Sequence, residues 1–231
     1  MNFKPIFGFI AGAFLALNLN ASTIKKGELI VATEGTYSPY SFYDEKGELV
    51  GYDVDIAKAV AKKLNLKIEF LTAPWDAMLA AFDAGKADVV FNQVSINEDR
   101  KKKYDMSVPY TMPYPVIVVH KDNNDIKSFA DLKGKKSVHS ATSNWAAIAE
   151  KNGATVVVAD GFSKGVELII SKRADDTIND NVTFFDYIKQ RPNAPLKIAY
   201  TSNEPMPTAA LLKKGNTELL EAINKALDEL K

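Results

Sequence analysis

The stretch KIEFLTAPWDAMLAAFDAGKADVVF, Lys67–Phe91, decides the fold. Lys67–Leu71 reads as a strand, Trp75–Ala84 as a helix stopped at Gly85, and Asp88–Phe91 as a second strand. Toward the N-terminus, Glu28–Ala32 is another strand and Gly47-Glu48 sits in a hairpin turn. Asp53–Leu64 is helical: Ile56, Val60 and Leu64 recur every four residues, opposite Lys58 and Lys62–Lys63. Strand, helix, strand, helix, strand implies a parallel sheet built from right-handed crossovers.

A second set of elements follows the Pro- and Tyr-rich connection Pro109–Pro115. Strands are expected at Val116–Val119, Lys136–His139, Thr155–Ala159, Asp175–Ile178 and Leu196–Tyr200. Helices are expected at Trp145–Asn152, from a cap at Ser163 to Lys172, and at Val182–Lys189. After the second Pro-rich stretch, Glu204–Pro207, Ala209–Lys213 and the helix Thr217–Leu230 close the chain. Two segments echo each other: Lys86–Gln93 reads KADVVFNQ and Arg173–Asp180 reads RADDTIND. The echo places Gln93 and Asp180 at equivalent strand ends of two similar lobes, and open α/β sheets bind ligands beyond such ends.

Length and composition narrow the function classes. The 231 residues suffice for a substantial core, in one large domain or two lobes. Basic and acidic residues balance at 29 each, which argues against nucleic acid or an anionic membrane as partner. Lys4, the apolar run Ile6–Leu17 and the small and polar residues after it read as a secretory signal peptide, residues 1–21, cleaved at Ala21–Ser22. Its removal takes away Lys4 alone, leaving 28 basic against 29 acidic residues and a net charge of about −1. Without cysteine the exported chain has neither disulfides nor an N-terminal lipid site, so a soluble periplasmic protein is expected.

Beyond Phe91 the chain continues as NQVSINEDRKKKYDMSVPY, Asn92–Tyr110. Amides, a hydroxyl and an arginine within nine residues suit a strand end that opens onto a small zwitterion. Arg100 offers a planar donor fork for a carboxylate, and Ser95 with nearby backbone amides can complete the anion's shell. The competing reading is a basic surface helix, Arg100–Tyr104, capped by Asn97 with Glu98 and Asp99 in its first turn. Asp180, on the other jaw, is the candidate for an ammonium.

Tyr37-Ser-Pro-Tyr40 and Phe42 follow the first strand, where aromatics can stack on a ligand or cover a cation; Phe42 is read as core. Trp75, at a strand-to-helix junction, divides evenly between pocket wall and core. Thr142-Ser143-Asn144 precedes a helix and offers a carboxylate-binding start, or simply its cap. Gly161-Phe-Ser-Lys-Gly165 matches G-x-S-x-G, yet both histidines, His120 and His139, precede the serine where a hydrolase needs one after it. Walker, Rossmann and H-E-x-x-H signatures are missing from the mature chain, and two isolated histidines without cysteine make no zinc set. No cofactor or metal is expected.

With these residues assembled, the chain resembles bacterial periplasmic solute-binding proteins for polar amino acids, components of ABC importers. The carriers are GTYSPYSF (Gly35–Phe42), GYDVDIAKAVAKKL (Gly51–Leu64), NQVSINEDRKKKYD, DLKGKK (Asp131–Lys136), SATSNWAAIA (Ser140–Ala149) and RADDTIND. The resemblance runs from Ile24 to the C-terminus and is nearest to the cystine-binding branch. It implies an α/β type II clamshell of two lobes, each a mainly parallel sheet flanked by helices. Lobe 1 would comprise 22–112 plus 206–231, and lobe 2 113–205. By the same resemblance Arg100 takes the α-carboxylate with Ser95, Thr142 and Ser143, and Asp180 takes the α-ammonium. Tyr37 packs on the ligand, Gln93 adds a backbone or side-chain contact, and Trp75 lines the pocket. A free amino acid and a membrane permease are the implied partners of a monomer.

Three features depart from the family pattern: Asp176 stands where a small or apolar residue is usual, Tyr114 occupies the first crossover, and relatives usually continue past Lys231. A buried Asp176 needs a partner or a route to solvent. The rival from another class is a dehydratase acting on a small cyclic carboxylic acid, with Glu34 or Glu204 as general acid. A receptor sensor domain is disfavoured because no membrane span follows.

Overall fold

The computed structural model describes residues 22–231; the signal-peptide assignment lies outside them. Seven strands precede the first crossover: β1 (Glu28–Thr33), β2 (Thr36–Tyr37), β3 (Ser41–Tyr43), β4 (Leu49–Val50), β5 (Lys67–Thr72), β6 (Val89–Ser95) and β7 (Tyr104–Met106). Helices α1 (Tyr52–Lys63), α2 (Trp75–Asp83) and α3 (Glu98–Lys103) lie among them. The middle of the chain supplies β8 (Pro115–His120), β9 (Lys136–His139), α4 (Asn144–Lys151), β10 (Thr155–Val158), α5 (Gly161–Ile170), β11 (Asp176–Asp180), α6 (Asn181–Gln190) and β12 (Leu196–Thr201). β13 (Thr208–Lys213) and α7 (Thr217–Asp228) finish the fold.

The strands form two five-stranded sheets, ordered β5-β1-β6-β13-β7 and β10-β9-β11-β8-β12, and a small sheet β2-β3-β4. The two large sheets share one plan. In each, three parallel strands are extended by one reversed strand, β13 or β8, and the fifth pairs antiparallel to that. The reversed strand is the first to arrive after each crossover. The sheets are therefore mixed, with four of five strands pointing one way. The hairpin turn at Gly47-Glu48 joins β3 to β4, while β7 and β2 go beyond the elements read from sequence.

Apolar side chains fill both faces of each sheet. Leu29, Val31 and Phe91 pack with α1 and α7 on one face of the first sheet, while Val90, Val94, Met78 and Phe82 pack on the other. Phe82 and Phe91 have no exposed surface, and each contributes on the order of 2–3 kcal/mol by burial. The buried stripe of α1 centres on Ala57, Val60 and Ala61, with Ile56 and Leu64 at its flanks. Gly51 opens α1 at φ 122°, where a Cβ would strike the Tyr40 carbonyl. This close approach lets Tyr52 and Asp53 donate their backbone N–H groups to Pro39 and Tyr40. It pins the aromatic loop to the helix.

Two local expectations are revised. β6 continues through Asn92 to Ser95 because β13 pairs with it at Thr208 and Ala209, and its polar side chains find buried partners. Ser163 is not the cap of α5: the chain turns earlier, at Asp160–Gly161, with Gly161 at φ 77°. Tyr114 is exposed on the crossover, away from the cleft wall.

Candidate functional site

The C-terminal ends of β1 and β6 face those of β9 and β11 across a cleft of about 540 Å³, partly open to solvent. Of the candidate residues, Tyr37, Trp75, Gln93 and Ser143 line it, and Ser95, Arg100, Thr142 and Asp180 stand behind or beside the wall.

Arg100 lies on α3, the short basic helix that Asn97 caps by accepting the Arg100 backbone N–H at 2.9 Å. Lys101, Lys102 and Lys103 turn outward and pair with Glu98, Asp99 and Asp83. Arg100 instead folds inward: Nη1 donates to the Ser95 carbonyl at 2.9 Å, and its guanidinium lies 5.3 Å from the centroid of Trp75. Among the described residues it has no carboxylate partner. Burial lowers its pKa to about 10, which leaves it charged at neutral pH. Surface helix and inward arginine thus coexist on one segment, because successive side chains of a helix point in different directions.

Trp75 begins α2 and forms part of the cleft wall. Its Nε1 donates to Thr142 Oγ1 at 3.0 Å, across the lobes. Asp76 Oδ1 accepts the Thr142 backbone N–H at 2.9 Å and its hydroxyl at 2.6 Å, while Oδ2 accepts Ala141 N–H at 3.0 Å. The polar atoms of Thr142 are therefore engaged in joining the lobes. Ser143 caps α4 by accepting Ala146 N–H at 3.1 Å and still faces the cleft.

Asp180, 2% exposed, is held by four donors. Oδ2 accepts from Tyr37 at 2.6 Å and Thr183 Oγ1 at 2.8 Å; Oδ1 accepts from Tyr40 at 3.1 Å and Thr183 N–H at 2.8 Å. It caps α6 and ties the aromatic loop of the first lobe to the second. The Tyr37 hydroxyl also reaches Asn179 Oδ1 at 2.8 Å, sharing its one proton. Burial, then the Asp180 charge, raises the Tyr37 pKa well above the usual phenol range, so it remains a donor.

Gln93 adopts φ 49°, a left-handed conformation costing a non-glycine residue roughly 1 kcal/mol. Its Nε2 donates to Asp53 Oδ1 at 2.7 Å, and its Oε1 accepts from Thr111 Oγ1 at 2.5 Å and Thr208 Oγ1 at 3.1 Å. Thr111 and Thr208 bridge the two crossovers. The side chain is thus committed to the hinge, and the backbone is the part of Gln93 left for the cleft.

The sequence reading treated Glu34 only as a possible general acid, yet it lines the cleft, 8% exposed. Its Oε2 accepts from Asn92 Nδ2 at 2.7 Å, and Asn92 Oδ1 in turn accepts from Thr33 and from Glu34 N–H. Burial raises the Glu34 pKa to about 7, against the lowering effect of Asn92. Asn179 and His139 also line the cleft, and Asp76 stands beside it; Asn179 and Asp76 depend on partners far away in sequence, Tyr37 and Ala141–Thr142. The signal for Glu34 was its place directly after β1. Among the described residues no cluster of His, Cys, Asp and Glu is arranged to hold a metal, and no helix is long and apolar enough to cross a membrane.

Residues 29–231 match the family of bacterial extracellular solute-binding proteins, family 3. The chain is 44% identical to the L-cystine-binding protein TcyA of Bacillus subtilis (strain 168) over 215 residues, 93% of this chain and 80% of that protein. An ancestral arginine-binding protein bound to arginine superposes with a TM-score of 0.82 at 43% identity, covering 89% of this chain and 92% of that one. The L-cystine solute receptor of Neisseria gonorrhoeae, unliganded and open, gives 0.56 at 42% identity, covering 89% and 88%. At similar identity the chain therefore superposes better on the ligand-bound structure than on the open one.

Proposed function

Because the chain belongs to the bacterial extracellular solute-binding proteins of family 3 and is not an enzyme, we propose that it captures one free polar amino acid, cystine foremost, by hinge closure and delivers it to an ABC permease. Export by residues 1–21 places it in the periplasm as a soluble monomer, with lobe 1 comprising 22–112 plus 206–231 and lobe 2 113–205.

The observation that carries this reading is Arg100, a largely buried guanidinium held over Trp75 without a carboxylate of its own among the described residues. A ligand carboxylate supplies the missing charge and fits the donor fork. Ser143 and the Gln93 backbone complete that end from the cleft wall, with Ser95 and Thr142 behind it, and Tyr37, held by Asp180, faces the ammonium. Contacts from both jaws stabilise the closed state through differential affinity. Glu34 favours a ligand with a second cationic end. The similar proteins include ones named for cystine and for arginine, and both amino acids carry such an end.

Calorimetry of the purified protein against single amino acids tests the assignment. Cystine is expected to bind and to lose its binding when dithiothreitol cleaves it, whereas arginine is indifferent to the reductant. A folded sample that binds no amino acid refutes the transport reading.

A further inference from the structure

The register of the two sheets exposes a polar substitution in the second lobe. In the first sheet Val31 of β1 lies opposite Val89 of β6; at the matching place in the second, Ser137 of β9 lies opposite Asp176 of β11. An apolar pair has become a hydroxyl and a carboxylate, both with no exposed surface. Ser137 Oγ is 2.5 Å from Asp176 Oδ1 and 2.8 Å from His139 Nε2. His139 is 6% exposed, ends β9 and lines the cleft, and its Nδ1 has no hydrogen bond among the described residues. Asp176 Oδ2 is buried without a hydrogen-bond partner among the described residues. A continuous chain of hydrogen bonds therefore joins a sealed carboxyl group to the ligand cleft.

We infer that His139 is a specificity-determining residue whose free ring nitrogen is switched between acceptor and donor by the ionisation of Asp176, relayed through Ser137. An ionised Asp176 only accepts, so Ser137 donates to it. His139 then donates Nε2–H to Ser137 Oγ and keeps a lone pair on Nδ1. A proton on Asp176 reverses the chain. Oδ1–H donates to Ser137, because a proton on buried Oδ2 would have no acceptor. Ser137 donates to Nε2, and the imidazole proton moves to Nδ1. The β9 side of the cleft thus presents an acceptor to a ligand N–H in one state and a donor to a ligand carboxylate in the other.

The surroundings suit such a switch. Burial raises Asp176 to about 7 and lowers His139 to about 3, so the imidazole is neutral throughout and only its tautomer changes. Opposite Asp176, β9 presents Ser137 and β8 presents Val119. Ile148 and Ala149 of α4 pack in the cluster around Val119 and Ile178. The charges acting on Asp176 are Asp175, which raises its pKa, and Lys135, which lowers it. Glu34 is a carboxyl that lines the cleft itself, raised to about 7 by burial.

The ligand contact rests on the amino-acid reading; the relay does not. The chain has only two histidines, so imidazole ¹⁵N shifts of the full-length protein resolve His139 once His120→Gln assigns the other. Expected is the Nε2–H form at pH 8.5, conversion toward Nδ1–H by pH 5.5, and no conversion in Asp176→Asn or Ser137→Ala. A tautomer constant across this range, or an unchanged conversion in Asp176→Asn, overturns the relay. Saturation with cystine or arginine is expected to move the His139 Nδ1 resonance. The pH dependence of affinity is expected to shrink on the order of five-fold in Asp176→Asn. Normal binding with an unmoved resonance refutes this inference alone, whereas a tautomer switch in a protein that binds no amino acid refutes the transport reading and the contact with it.

Discussion

The indole of Trp75 donates to Thr142 Oγ1 at 3.0 Å, joining a residue of the first lobe's cleft wall to the start of a helix in the second. Asp76, the next residue, accepts three more hydrogen bonds from Ala141 and Thr142. These contacts span the two lobes, so opening the cleft is expected to break them and they bias the hinge toward closure. Asp76→Ala is expected to weaken amino-acid affinity roughly ten-fold through a shift toward the open state. Isothermal calorimetry with small-angle scattering checks this; unchanged affinity and radius of gyration would dismiss the contact as incidental.

Arg100→Ala is expected to reduce affinity at least ~100-fold with little change in thermal stability. The side chain makes one hydrogen bond to Ser95 and one stacking contact, so its removal also relieves a desolvated charge. Arg100→Lys recovers only part of the affinity, since an ammonium lacks the planar fork. Retained binding in the alanine variant would remove the carboxylate assignment.

Glu34→Gln should discriminate among ligands. Amino acids with a second cationic end are expected to lose roughly ten-fold in affinity at pH 8, and glutamine much less. Equal losses for arginine and glutamine would show that Glu34 acts through Asn92 rather than on the ligand.

Gln93→Ala breaks the hinge network. Asp53 loses its hydrogen-bond donor while remaining fully buried, and Thr111 and Thr208 lose their shared acceptor. Destabilisation of about 2–4 kcal/mol is expected in urea unfolding, together with altered closure kinetics. A loss below ~0.5 kcal/mol would make the network dispensable.

Stability should rise as the pH falls from 8 toward 5. Burial raises Glu34, Asp53 and Asp176 to about 7, above their unfolded values, so between about 4.5 and 7 the native state binds protons that the unfolded state does not. His139, lowered to about 3, acts in the opposite sense below about 6.5, offsetting roughly one of the three. Thermal melts at pH 5.5 and 8 check the sign. Asp176→Asn is expected to raise the melting temperature at pH 8 and to flatten the profile; a steeper profile would contradict the assignment.

Much of this was legible locally. Trp75–Ala84 with Gly85, and Asn97 ahead of Arg100, are read from spacing and caps because helices close their hydrogen bonds within a few residues. The echo KADVVFNQ and RADDTIND foretold equivalent strands, and β6 and β11 do occupy the same third position in their sheets. Even Asp88 and Asp175 repeat a contact, accepting the backbone N–H of Ile30 and Lys136. The reversed strands were not legible, since β13 pairs with β6 more than a hundred residues away.

The sequence by itself determined the order of the main elements and the capped basic helix that carries Arg100, which rest on periodicity, caps and residue chemistry close along the chain, whereas the two-lobe plan and the role of Arg100 are what the family resemblance implied. Only the tertiary structure decided how the polar side chains were spent. Gln93 went to the hinge, Thr142 to the closure, Asp180 to two tyrosines of the opposite lobe, and Glu34 to the cleft itself. A buried donor or acceptor must find a partner wherever the fold brings one, and those that join distant elements here lie 18 to 143 positions away.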